Sequence, residues 1–105
     1  MFGILNYLFS KNSTTSLVEL IKDNGFLVDV RSPEEYASGH VNGSVNIPLD
    51  KIAKRLDQFK NKKNIIVFCK SGMRSHQAKA ILNQHGFTNV TNGGTWQNIN
   101  NLVNS

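Results

Sequence analysis

Short apolar runs alternate with helical patterns from residue 16 to the end of the chain, and no other feature limits the fold as strongly. Phe26-Leu27-Val28-Asp29-Val30 reads as one strand and Ser44-Val45-Asn46-Ile47-Pro48 as a brief extended segment. Residues 64–68 read as a second full strand, and Phe87-Thr88-Asn89-Val90 as a further candidate. The segments between them carry apolar residues at helical spacing. Strands that alternate with helices pack side by side in a parallel sheet, with the helices laid over its faces. The expected fold is therefore α/β: a three-layer sandwich, with a parallel sheet of four to five strands and helices on both faces. A length of 105 residues suits one domain. An apolar share of 39% against 18% charged residues argues for a packed core rather than disorder.

Local signals place the helices. Ser16-Leu17-Val18-Glu19 resembles a capping box, Leu17, Leu20 and Ile21 share a face, and Gly25 is the expected stop. Ser32, Pro33 and Glu35 open a second helix as cap, first residue and box partner, and Gly39 ends it. Asp50 is expected to cap a helix that turns Ile52, Leu56 and Phe59 inward. The next helix spans about Ser75 to His85, with Ala78, Ile81 and Leu82 inside and Gly86 beyond its end. Gly93-Gly94 reads as a turn before a last helix from Thr95 to about Val103, carrying Trp96, Ile99 and Leu102. Residues 1–13 are set apart as an N-terminal arm, which leaves 14–105 as the domain.

The net charge is +5, and six of the twelve basic residues are Lys51, Lys54, Arg55, Lys60, Lys62 and Lys63. The plain reading is a solvated helix face and turn; the sharper one is a patch that steers acidic partners or small anions. Phe59 alone interleaves with these charges, which argues against nucleic acid as a partner. The apolar start, Met1 to Phe9, lacks a basic leader and a cleavage site, so it reads as an arm rather than a secretion signal. No apolar run is long enough to suggest a membrane span. A single cysteine cannot form an internal disulfide, which predicts a reducing, cytoplasmic setting. That cysteine and three scattered histidines show no metal-ligand spacing, so neither metal nor cofactor is expected.

The cysteine ends the most apolar strand, and Lys70-Ser71-Gly72-Met73-Arg74-Ser75 leads from it into a helix. Gly72 permits the curl such a loop needs. Successive N–H groups at a helix start form a nest for an anion, and Lys70 and Arg74 add positive charge. A thiol in that place is depressed in pKa and present as thiolate. A cysteine that merely ends a buried strand is commonly an inert core residue; the polar, Gly-containing loop argues otherwise here. Such a thiolate suits either attack on an anionic electrophile or the holding of a negatively charged cysteine adduct.

Three segments of the chain match a known pattern. Asp29-Val30-Arg31-Ser32-Pro33-Glu34-Glu35-Tyr36, with Gly39-His40-Val41-Asn42-Gly43-Ser44-Val45-Asn46-Ile47-Pro48, resembles the upstream signature of the single-domain rhodaneses. Cys69 to Ser75 resembles their active-site loop of the CxxGxRS kind, and Gly93-Gly94 with Trp96 resembles their closing GG…W. The resemblance covers about residues 15 to 103. It implies a sulfurtransferase in which Cys69 takes a sulfane sulfur from a donor such as thiosulfate, or from a low-molecular-weight persulfide. The persulfide then passes its outer sulfur to a thiophilic acceptor: cyanide, a thiol or a protein partner. It implies that the N–H groups of Lys70, Ser71, Gly72, Met73 and Arg74 cradle the persulfide, that Ser75 completes the loop, and that Asp29 and Arg31 support it. It also implies that Arg74 contacts an anionic donor and that Lys70 helps attract it, while His40 belongs to the architecture. The residues leave a rival open, a non-catalytic persulfide carrier or sensor. Phosphatases of similar fold have a longer loop; here four residues separate Cys69 from Arg74, one fewer than in that group, which fits a single sulfur better than phosphate. Ser71 stands where thiosulfate-preferring relatives carry a second basic residue, which leaves the choice of donor open.

Overall fold

A strand that is apolar at every position from Ile65 to Cys69 needs cover on both faces. The computed structural model, which describes residues 17–104, provides it. The N-terminal arm and Ser16, the expected first cap, lie outside the described residues. Helix α1 (residues 17–22) leads to β1 (Gly25–Asp29), α2 (Pro33–Ala37) and β2 (Val45–Asn46). Two 3-10 segments (Leu49–Lys54 and Leu56–Phe59) precede β3 (Asn64–Cys69), α3 (Met73–Gln84), β4 (Val90–Thr95) and α4 (Trp96–Asn104). The four strands pair in parallel in the order β2-β1-β3-β4, so β3 lies between β1 and β4.

Side chains alternate across the sheet with the period of two that a strand imposes. Ile65, Val67 and Cys69 join Ala78, Leu82, Ile52 and Phe59 in one core, beneath α3 and the 3-10 segments. Ile66 and Phe68 join Val41 and Ile99 in the other, beneath α1 and α4. The three-layer α/β sandwich is thus observed, with four strands. Alternation also decides the sulfur's side: Cys69 faces α3.

Several boundaries differ from expectation, each for a packing reason. Gly25 does not end α1; it opens β1, and Asn24 takes the left-handed turn at φ +60°. A Cβ on Gly25 would stand 2.8 Å from the Leu20 carbonyl oxygen and the Ile21 Cα, so close approach of strand to helix demands the glycine. The expected helix capped by Asp50 is two 3-10 segments, the first preceded by Pro48 and the second by Arg55, whose φ of −129° interrupts the coil. Ile52 and Phe59 still reach the core, because a repeat of three serves the same inward spacing. Helix α3 starts two residues early, at Met73, because Gly72 at φ +97° completes the curl within three loop residues. Gly93-Gly94 is not a turn: it lies within β4, which begins at Val90 instead of ending there. Val67 pairs with Asn92 and Phe68 with Gly94, so Gly93 is the extra residue of a bulge.

Candidate active site

Strand pairing on both sides fixes the backbone of β3 up to its last residue, Cys69, which pairs with Thr95. The loop 70–72 then folds back so that the Gly72 N–H donates to the Cys69 Sγ at 3.0 Å. The Ser75 Oγ, on the first turn of α3, lies 3.6 Å from the same sulfur. Cys69 and Ser75 have no exposed surface, whereas Lys70, Ser71 and Met73 face solvent, Met73 at 72%. Burial pushes the Cys69 thiol pKa up. The Ser75 hydroxyl, when it turns its proton to the sulfur, and the backbone N–H groups of Ser75, Gly72 and Ser71 outweigh it, and the net direction is down. The site therefore eases ionisation of the sulfur, in the direction the helix start and nest predict.

A second polar group braces the loop from β4. The Asn92 Oδ1 accepts from the Gly94 N–H at 2.9 Å and from the Ser75 hydroxyl at 2.7 Å. Its Nδ2 donates to the Gly72 carbonyl at 3.3 Å. The sequence reading did not single out Asn92. Its only signal is a polar residue beside two glycines, just past a strand candidate.

The Arg74 guanidinium makes two bonds to the Glu35 carboxylate, at 2.7 and 3.1 Å. This bond to Glu35 is also the main reason its pKa is raised, with the charge of Cys69 contributing. A groove of about 430 Å³ lies beside the loop between Leu49 and Ile81, with Arg74 on its rim and Cys69 outside it.

Asp29 and Arg31 form a buried bidentate pair, with Arg31 Nη2 2.8 Å from Asp29 Oδ2. Arg31 also donates to the Gly39 carbonyl at 2.7 Å and lies over the Trp96 ring at 4.5 Å. Arg31 pairs with Asp29 and not with its sequence neighbours Glu34 or Glu35; Glu35 belongs to Arg74. These contacts join the end of β1, the turn after α2 and the start of α4. His40 stacks on Tyr36 with ring centroids 3.9 Å apart, and its Nδ1 lies 2.8 Å from the Tyr36 carbonyl oxygen. His76 is exposed. No cluster of three or more His, Cys, Asp or Glu suited to a metal is found among the described residues. No helix among them is long and apolar enough to cross a membrane.

The sequence matches a family model. A model described as Rhodanese-like domain covers residues 13–95. The chain belongs to the rhodanese-like domain family. The thiosulfate sulfurtransferase PspE of Escherichia coli (strain K12) is 42% identical over 74 residues, covering 69% of this chain and 71% of that protein. A solved structure titled "rhodanese with anions from E. coli" has a TM-score of 0.64 at 39% identity, covering 70% of this chain and 89% of that one. The human single-domain sulfurtransferase TSTD1 has a TM-score of 0.64 at 27% identity, covering 81% of this chain and 89% of that one. Sulfurtransferase relatives at this similarity support sulfurtransferase chemistry in general for this rhodanese-like domain.

Proposed function

We propose that this rhodanese-like domain moves a sulfane sulfur from a small anionic donor or persulfide to a thiophilic acceptor through a persulfide on Cys69. The observation that carries the reading is the Cys69 sulfur held 3.0 Å from the Gly72 N–H, in surroundings that lower its pKa. With thiosulfate as donor, the Cys69 thiolate attacks the outer sulfur. The sulfur–sulfur bond breaks, and sulfite leaves with the electron pair. A cyanide or thiolate acceptor then attacks the outer sulfur of the persulfide and returns Cys69 to thiolate. Two easier displacements replace one difficult transfer. Loop N–H groups that stabilise the thiolate stabilise an anionic persulfide by the same hydrogen bonds. Lys70, exposed beside the sulfur, draws anionic donors by charge, and Asp29 with Arg31 steadies the sheet end from which the loop springs. A lone cysteine fits a reducing, cytoplasmic setting.

Thiosulfate and cyanide supplied together test the reading. Thiocyanate should form with the unaltered protein and cease with Cys69→Ser. Thiocyanate formation that survives the substitution overturns it. A persulfide detected by intact mass, with no turnover for any donor and acceptor pair, identifies a carrier instead.

A further inference from the structure

The Ser75 hydroxyl has one proton and three neighbours able to accept it. They are the Asn92 Oδ1 at 2.7 Å, the Gly72 carbonyl at 3.1 Å and the Cys69 Sγ at 3.6 Å. The Gly94 N–H, donating to Asn92 at 2.9 Å, fixes which end of that amide is oxygen. Neither oxygen can donate back, so the two compete for the Ser75 proton, and the shorter contact, to Asn92, takes it. In that orientation Ser75 presents a lone pair, not a proton, to the sulfur. It accepts from a thiol and gives nothing to a thiolate. When Cys69 ionises, the hydroxyl must turn from Asn92 to the sulfur to stabilise the charge.

We propose that Asn92 is a positioning residue that holds the Ser75 proton away from Cys69 and so restrains ionisation of the sulfur. Asn92 touches neither the sulfur nor a substrate; it acts through Ser75. The inference rests on Cys69 being the reacting group, as in the reading above, but concerns its protonation, which is measurable without turnover. Charged groups on the elements packed around Cys69 are few. The loop and α3 bring Lys70, Arg74, His76 and Lys79, and α2 brings Glu34 and Glu35, the latter bound to Arg74. The end of β1 brings the Asp29–Arg31 pair, and the first 3-10 segment brings Asp50, Lys51 and Lys54. β4 and α4 contribute no titratable side chain. A restraint acting from β4 is therefore a matter of hydrogen-bond direction and not of charge.

The test is a pH titration of thiolate ultraviolet absorbance, read against Cys69→Ala as baseline, in a double-mutant cycle. Asn92→Ala should lower the apparent thiol pKa by about one unit, a roughly tenfold gain in ionised fraction on the flank of the titration. Ser75→Ala alone should shift it little, and Asn92→Ala should have no effect in the Ser75→Ala background. A shift of equal size in both backgrounds, an upward shift or no shift overturns the proposal, since Asn92 then acts on the loop backbone or not at all. Asn92→Asp serves if Asn92→Ala does not fold. It keeps an acceptor for Gly94 and Ser75, and should raise the thiol pKa with Ser75 present by more than it does with Ser75→Ala. Equal rises would show a charge effect alone and overturn the inference. These outcomes are independent of sulfur transfer: a protein that makes no thiocyanate can still show the cycle, and an active one can lack it.

Discussion

The Arg74 guanidinium straddles the Glu35 carboxylate, Nη1 to Oε1 at 2.7 Å and Nη2 to Oε2 at 3.1 Å, and so ties the first turn of α3 to the cap of α2. Glu35 also accepts from the Ser32 N–H at 3.0 Å, so one carboxylate closes a capping box and anchors the far end of the sulfur loop.

Glu35→Gln keeps the box, because glutamine serves there too, but releases the Arg74 charge. The kcat/KM for thiosulfate is expected to rise severalfold at low ionic strength, and the gain to shrink as salt screens the freed cation. Steady-state kinetics across a salt series checks this. A flat response would show that Arg74 does not feel the donor.

The same carboxylate carries a pH signature. Arg74's hydrogen bond, followed by that of the Ser32 N–H, holds the Glu35 pKa at about 2 against an ordinary 4.5. The folded value lies below the unfolded one, so the stabilisation is complete above about pH 4.5 and fades as pH falls toward about 2. At 31% exposure the pair is screened, and its worth is about 1 kcal/mol or less. The gap in urea midpoint between the unaltered protein and Glu35→Gln should therefore close over that acid window.

Asp29 and Arg31 behave differently because they are 0% and 4% exposed. Arg31→Leu strands a buried carboxylate and should cost about 3–5 kcal/mol in urea unfolding. Removing both charges, Asp29→Leu with Arg31→Leu, should recover part of that loss, since no lone charge remains. A double variant as unstable as the sum of the two singles would contradict a paired role.

Gly72→Ala places a side chain at φ +97°, with its Cβ 3.6 Å from the Gly94 Cα. The left-handed backbone costs about 1–2 kcal/mol for an L side chain. Relief of that strain turns the 72 N–H off the sulfur. Expected results are a higher thiol pKa in an absorbance titration and slower thiocyanate formation. Loss of stability with an unshifted thiol would mean that this N–H does not hold the thiolate.

Features written in neighbouring residues were readable in the sequence. The Ser32-Pro33-Glu35 start of α2 is a local code, and the observed bonds reproduce it. The parallel α/β sheet followed from apolar runs that leave no strand face for water, and Cys69 at a strand end followed with it. What escaped depends on distant packing. Glu35 and Arg74 are 39 residues apart, and nothing near either one names the other. Gly93-Gly94 has the composition of a turn, yet a Cβ at Gly93 would press on Ile99 at 2.9 Å and Ile66 at 3.0 Å, a reason visible only once β3 and α4 are in place. The 3-10 segments share the spacing of Ile52, Leu56 and Phe59 with an α-helix, so periodicity alone could not separate the two.

Cys69 stands on an inner strand, bonded to neighbours on either side and sealed from solvent. Such a sulfur has no tether to swing. A reactant bound for that atom has to come to the place where β3 ends beneath the 70–72 loop, instead of meeting it on a flexible arm.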